Sequence, residues 1–195
     1  VLQRLADSRV RTFHQETNQG PYAARNMAMD VARGDLFAFI DDDDEWFPDK
    51  LQKQVALFTE NRRLGLVHSA VIDRFPSGEE KPRRVHRRAN QYQELLCQDR
   101  IVTSTVVVTR QAVAEAGDFD ASFRAFGDWD MWTRIAKSSP VESIDEPLAL
   151  INLRPNSIQR GSIDTFETNR RRAVDVRMPE LRRYGLERRA TGLQE

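Results

Sequence analysis

One cysteine, Cys97, in 195 residues leaves no partner for an internal disulfide, and without Cys/His pairs at ligand spacing the chain carries no zinc signature. That scarcity fits a reducing, cytoplasmic compartment. Long apolar runs are missing as well. The longest candidate, Ile101 to Val108, is far too short to span a bilayer, and the N-terminus has no basic-then-apolar leader pattern. Charge of one sign is also missing: 30 basic residues balance 30 acidic ones, which removes any general electrostatic argument for nucleic-acid binding. His14, His68 and His86 stand singly, so each is expected to be structural or solvent-exposed. There is no internal repeat and no low-complexity block.

Acidic side chains are crowded at one place. Residues 36 to 49 read Leu-Phe-Ala-Phe-Ile-Asp-Asp-Asp-Asp-Glu-Trp-Phe-Pro-Asp, an apolar run that ends in four aspartates and a glutamate. Carboxylates this close repel one another unless a cation lies among them or water screens them. The readings are a divalent-metal site or a solvated acidic turn. Leu36 to Ile40 is apolar enough for a central strand of an α/β sheet, where ligands bind beyond the strand's carboxyl end. Upstream, Ala24, Met27, Ala28 and Val31 fall at helical spacing, with Gly34 expected to end that helix. Downstream, Pro48 suits the first turn of another helix, in which Phe47, Leu51, Val55 and Phe58 share a face.

Further strands are expected at 64 to 75 and 101 to 109, with a Pro76-Ser77-Gly78 turn between them. Helices are expected at 110 to 116, closed by Gly117, and at 128 to 137, with Trp129, Trp132 and Ile135 for packing. Alternating strands and helices argue for an α/β layered domain. From Ser162 onward the pattern is helical but polar, broken at Pro179.

Asn18-x-Gly20-x-x-x-Ala24-Arg25-Asn26, Ala32-x-Gly34-Asp35 and Phe39-Ile40-Asp41-Asp42-Asp43-Asp44-x-Trp46-x-Pro48-x-Lys50-Leu51 together resemble the family-two glycosyltransferases, with their GT-A fold and DxD metal motif. The likeness continues in order through Ser104-Thr105-Val106-Val107-Val108-x-Arg110, Gly117-x-Phe119-Asp120, Gly127-Asp128-Trp129-Asp130-Met131-Trp132-x-Arg134-Ile135-Ala136 and Asp145-Glu146-Pro147-Leu148-Ala149. It ends at Arg154-Pro155-Asn156-Ser157-Ile158. About residues 9 to 160 are covered. The resemblance implies a GT-A-like layered domain with a mostly parallel central sheet flanked by helices over residues 1 to 160. It leaves 161 to 195 as an arginine-rich helical extension. Members of the family begin with a strand–helix–strand unit that holds the nucleotide base, and this chain opens after it. The domain is therefore expected to be N-terminally incomplete, with an exposed sheet edge at the strand that ends in Asp41 and a tendency to self-associate there.

The resemblance also implies roles. Asp43 is the direct ligand of Mg²⁺ or Mn²⁺, with Asp41 as a further ligand and Asp41 and Asp42 near the ribose or the outer coordination sphere. Arg25 lies close to the nucleotide-diphosphate sugar, and Arg154 and Ser157 reach the diphosphate from a mobile loop. Asp128 is the general base; in its place a helix cap is the ordinary reading of an Asp at a helix start. The family's usual glutamate before that base is Gly127 here. Asp130 and Arg134, four residues apart on a helix, suit a surface ion pair.

The activity implied is transfer of a sugar from a nucleotide-diphosphate donor to a saccharide, lipid-linked or protein acceptor, metal-dependent and inverting. An inactive fragment or nucleotide-sugar-binding module, and a metal-dependent phosphatase with a strand-end aspartate, remain as alternatives. A calcium loop starting at Asp41 fails, because Trp46 stands where Gly is needed and Gln52 where Glu is needed. Lys81, Arg83, Arg84, Arg87 and Arg88 form one basic cluster, and Arg170, Arg171, Arg172, Arg177, Arg182, Arg183, Arg188 and Arg189 another. Both suit solvated faces, an anionic acceptor, or peripheral contact with the inner face of a membrane.

Overall fold

Helix α1 (Pro21–Val31) starts with proline in its first turn, just after Gly20 at φ +88°, a conformation that side chains resist. The computed structural model describes residues 7–85, 90–154 and 163–192, so His86, Arg87, Arg88 and Ser157 lie outside the described residues. Helix α1 stops at the extended Ala32, whose N–H reaches Ala28 O at 3.1 Å, so Gly34 lies beyond the end it was expected to make. Strand β1 (Leu36–Ala38) follows, then β2 (Glu45–Trp46), α2 (Lys50–Glu60), and the hairpin of β3 (Leu66–Arg74) with β4 (Glu80–Arg83). Gly78 closes the expected turn of that hairpin at φ +85°. Next come α3 (Gln91–Cys97), a 3-10 turn (Thr103–Thr105), β5 (Val107–Thr109), α4 (Arg110–Ala116), α5 (Gly127–Ser138) and β6 (Val141–Asn152). Helices α6 (Ile163–Asp175), α7 (Met178–Tyr184, Pro179 in its first turn) and α8 (Glu187–Thr191) follow.

The α/β layering is as expected, but the sheet is mixed. Its order is β1-β5-β3-β6-β2 with β4 beside β3, and among the described strands only β3 and β6 pair in parallel. The physical reason is the place of β5. Strands β1 and β3 both run antiparallel to β5, so they point the same way without touching. β1 is accordingly a terminal strand of the order, which matches the sheet edge expected at the strand that ends in Asp41, although its apolar composition alone had suggested a central place. The β-branched run 101 to 109 also divides: its first half coils into the 3-10 turn, and only Val107–Thr109 pairs as strand.

Alternation along the strands builds two cores. Leu66, Val106 and Val108 face a large cluster with Trp129, Trp132 and Ile135 of α5, while Val67 and Val107 face Phe58 and Leu64. Ala173, Val174, Leu181 and Ala190 of the last three helices join the large cluster. Helix α2 turns a different face inward from the one its apolar residues suggest. Leu51 and Val55 are 41% and 42% exposed, while Lys50, Gln54 and Phe58 are buried. Gln54 explains the rotation: its amide donates to Val67 O at 3.1 Å and Thr105 O at 2.8 Å, tying the helix to β3 and the 3-10 turn. Lys50 lies with its Nζ 4.2 Å from the centre of the Trp46 ring, and burial lowers its pKa to about 8. No helix among the described residues is long and apolar enough to cross a membrane.

Candidate active site

The acidic run leaves β1 and folds into a tight turn, closed by Asp44 N donating to Asp41 O at 3.1 Å. This turn sends the carboxylates in different directions. Asp41 meets Arg25 at 2.5 Å, Asp43 meets Arg154 at 3.2 Å, and Asp42 is exposed. Asp44 accepts from Ser104 Oγ at 2.5 Å and from Asn152 N at 3.2 Å. Burial pushes Asp44 up to about 6, against those two hydrogen bonds, and the neighbouring charges of Asp41 and Asp43 push the same way as burial. Glu45 leaves the group and pairs with Arg74 at 3.0 Å.

Ser104 is the brace of the turn, because its hydroxyl also accepts from Asp41 N at 3.0 Å and its carbonyl accepts from Trp46 Nε1 at 2.7 Å. Trp46 thus closes the loop, as an aromatic of the fold. Arg25 is far from a solvated helix arginine: its guanidinium lies over the rings of Tyr22 and Phe119 at 5.5 and 5.9 Å, with the side chain 17% exposed. Ser157, expected beside Arg154, belongs to the residues outside the description.

Among the described residues no three of His, Cys, Asp and Glu converge as metal ligands. The donor set nevertheless suits a hard cation that takes only one or two carboxylates and completes its shell with phosphate and water oxygens, which is the habit of Mg²⁺. Asp43, half-buried beside the exposed Asp42, is the member of the turn best suited to that habit, since Asp44 is committed to Ser104 and Asn152.

Asp128 occupies a different environment. It sits in the first turn of α5 and is 7% exposed. Thr103 Oγ1 donates to its Oδ2 at 2.8 Å, Tyr22 OH points to its Oδ1 at 3.4 Å, and Trp129 N donates to Oδ1 at 3.0 Å. Asp128 is the second residue of the helix, whose N-cap position is Phe126, so the expected capping role is not seen, and two side-chain hydroxyls engage the carboxylate instead. Tyr22 also accepts from Gly127 N at 3.0 Å, and a Cβ at Gly127 would stand 2.8 Å from the tyrosine ring. Glycine at 127 is what lets Tyr22 approach the helix start; burial and the Asp128 charge push the phenol well above its ordinary pKa. Just before it, Phe126 holds φ +64°, a left-handed conformation uncommon for a bulky residue and fixed here by packing against Trp129 and Phe166.

Asp130 makes the expected ion pair with Arg134, at 2.8 Å. Behind the helix, Arg177 is 4% exposed, with its guanidinium 4.2 Å from the centre of the Trp129 ring and 3.9 Å from Asp130; burial lowers its pKa to about 10. Sequence reasoning missed Tyr22, Thr103, Asn152 and Arg177 as parts of this framework. Thr103-Ser104-Thr105, a polar triplet inside a β-branched run, was the available signal.

The chain matches the model of the family described as Glycosyl transferase family 2 over residues 1–116, and it belongs to that family. An uncharacterised glycosyltransferase of Haemophilus influenzae is 23% identical over 90% of this chain and 60% of its own length. The amylovoran biosynthesis glycosyltransferase AmsB of Erwinia amylovora is 30% identical over 69% of this chain and 47% of its own. Among solved structures, Staphylococcus aureus TarS in complex with UDP-GlcNAc superposes with a TM-score of 0.64 at 16% identity, over 84% of this chain and 48% of that one, a likeness of fold. The chain thus spans about half the length of these relatives.

Proposed function

We propose that this chain carries the catalytic centre of a metal-dependent, inverting glycosyltransferase that moves a sugar from a nucleoside-diphosphate donor to an acceptor hydroxyl. One observation supports this above the rest: consecutive residues serve the two halves of the site. Thr103 holds Asp128, and Ser104 holds Asp41 and Asp44. A carboxylate able to take a proton is thereby tied to an acidic turn flanked by Arg25 and Arg154. Metal-dependent phosphate-monoester hydrolysis, with Asp128 recruited to hold the metal, has less support, because Asp128 faces the hydroxyls of Thr103 and Tyr22 and the Arg25 and Trp46 segments would have no task in it.

In this mechanism Arg25 and Arg154 attract the diphosphate, and Arg154, 64% exposed, exchanges its contact with Asp43 for a phosphate oxygen. A bound Mg²⁺ or Mn²⁺, held by Asp43 with Asp41 or Asp42 nearby, would supply Lewis-acid neutralisation of the leaving diphosphate. Asp128 accepts the proton of the attacking hydroxyl, which approaches the anomeric carbon from the face opposite the leaving group, so the configuration inverts. Thr103 and Tyr22 orient the carboxylate without adding positive charge. The AmsB relative is named for amylovoran biosynthesis, and an Escherichia coli relative, 26% identical, for adding glucose to a GlcNAc-diphosphoundecaprenol. A saccharide or lipid-linked acceptor is the corresponding assignment here. Membrane contact through the segment 81–84 has less support, because Lys81, Arg83 and Arg84 pair with Glu79, Asp73 and Asp145.

Calorimetric titration with UDP tests the donor half. Mn²⁺ tightens UDP binding by about tenfold or more in the native sequence, and Asp43→Ala abolishes that enhancement. Equal enhancement in both proteins would remove Asp43 as the ligand, and no Mn²⁺-dependent binding of UDP or of inorganic diphosphate, which needs no base-holding unit, would overturn the proposed donor class.

A further inference from the structure

Lys50 opens helix α2 with its side chain wholly buried, and its Nζ has no hydrogen-bond partner among the described residues. We propose that Lys50 is a positioning residue for the acidic turn: its buried ammonium fixes the Trp46 indole, which holds Ser104, and so sets the turn for its metal and diphosphate. This deepens the glycosyltransferase reading and rests on it for the word diphosphate; the bracing of Trp46 stands independently.

A buried cation is costly, so one kept without a counter-ion calls for a use. The carboxylates nearest in the fold are engaged elsewhere: Asp49 meets Lys53 at 2.6 Å, and Glu146 meets the same lysine at 2.5 Å. Gln54, one turn along the same face, gives its amide N–H groups to Val67 O and Thr105 O, and its Oε1 makes no hydrogen bond. The helix start adds to the cost, since the free N–H groups of a first turn disfavour a cation. What the ammonium does meet is the face of Trp46, with Nζ 4.2 Å from the ring centre. Burial lowers its pKa to about 8, a value that still leaves it charged at neutral pH.

The indole is thereby held on several sides. Trp46 pairs with Ala149 of β6, and the next residue, Phe47, donates to Leu148 O at 3.0 Å, so the backbone beneath the ring is fixed. At the ring edge, Nε1 donates to Ser104 O at 2.7 Å. A cation over the face draws electron density from the ring and strengthens that N–H as a donor, so the two contacts reinforce each other. Ser104 is wholly buried, and its hydroxyl holds Asp41 N and the Asp44 carboxylate, on either side of Asp43 in the chain. The path from Lys50 to the turn thus runs through two residues.

Lys50→Met tests it, because methionine keeps the apolar stem and removes the charge. Calorimetric titration with UDP and with inorganic diphosphate, each with and without Mn²⁺, reads the turn, and the variant's Mn²⁺ enhancement falls about fivefold. Its melting temperature at about pH 7 rises by about 4 °C or more, since an unpaired buried charge is gone. Weaker metal-linked binding in a more stable protein is a combination that a purely structural lysine does not give. Hydrogen exchange of the Trp46 Nε1–H, a signal assigned with Trp46→Phe, supplies a reading without ligand and quickens about tenfold in Lys50→Met. An unchanged Mn²⁺ enhancement, a lowered melting temperature or an unchanged indole exchange would each overturn the proposal. If the native chain shows no Mn²⁺-dependent binding while the indole exchange still responds, the donor reading fails and the bracing of Trp46 by Lys50 remains.

Discussion

The acidic turn and the Asp128 pocket are both built around carboxylates, yet the protein treats them in opposite ways. In the turn, Asp41 and Asp43 face arginines and lie within reach of solvent. At α5, Asp128 is buried and its nearest polar side chains are the neutral hydroxyls of Thr103 and Tyr22. Cationic partners suit groups that bind and release an anionic, metal-bearing ligand. Neutral partners orient a carboxylate and leave its charge available for a proton, which is what a base requires.

Asp128→Asn gives the largest test of that contrast. The amide keeps the volume and still accepts from Thr103, so the fold and UDP affinity remain while turnover falls ~10²–10⁴-fold, the usual cost of losing a general base. Steady-state rates beside thermal unfolding distinguish the outcomes. A variant that unfolds, with full activity per folded molecule, would make Asp128 a structural residue of the helix start, and the two regions would then differ in burial alone.

The buried side should also be the acid-sensitive one. His68 has an ordinary pKa of 6.5, and burial lowers it to about 4 in the folded chain. As pH falls from 6.5 toward 4, the unfolded chain takes up a proton that the folded chain refuses, so stability present above pH 6.5 is lost across that window. The loss amounts to about 3 kcal/mol. Urea unfolding of the native sequence and His68→Gln at about pH 7.5 and about pH 4.5, on either side of most of that window, checks it. The difference between the two proteins should narrow or reverse in acid; a constant difference would mean that His68 titrates normally in the fold.

What the sequence revealed follows the same division. The ordered motifs pointed to the α/β layering, the Asp130 and Arg134 pair, the buried tryptophans of α5 and the acidic strand end, because each depends on residues close together in the chain. The inward face of α2 was not legible, since Gln54 is drawn inside only by the carbonyls of Val67 and Thr105. Sheet pairing was hidden for a similar reason. Apolar and β-branched runs mark β1 and β3 as strands but carry no signal that β5 lies between them. The dispersal of the acidic turn was equally invisible, because it is set by Arg25, Ser104, Asn152 and Arg154, all contributed by other segments.

Ser104→Ala probes whether the two regions can be separated. Its hydroxyl donates to Asp44 at 2.5 Å and accepts from Asp41 N at 3.0 Å, while the adjacent Thr103 serves Asp128. Removing it leaves both groups of the turn short of a partner, at a cost of about 1–2 kcal/mol in folding stability. The pH dependence has a definite sign. Asp44 is raised to about 6, chiefly by burial, and Ser104 favours its ionised form, so the variant's value lies higher still; the deficit is full above that higher value, shrinks as pH falls toward 6 and is lost below it. Turnover should fall far less than in Asp128→Asn, since the hydroxyls on the base are untouched. If Ser104→Ala instead matches the loss in Asp128→Asn with UDP binding preserved, the turn and the base act as one unit, and the contrast between cation-held and hydroxyl-held carboxylates would be a difference of surroundings without a division of labour.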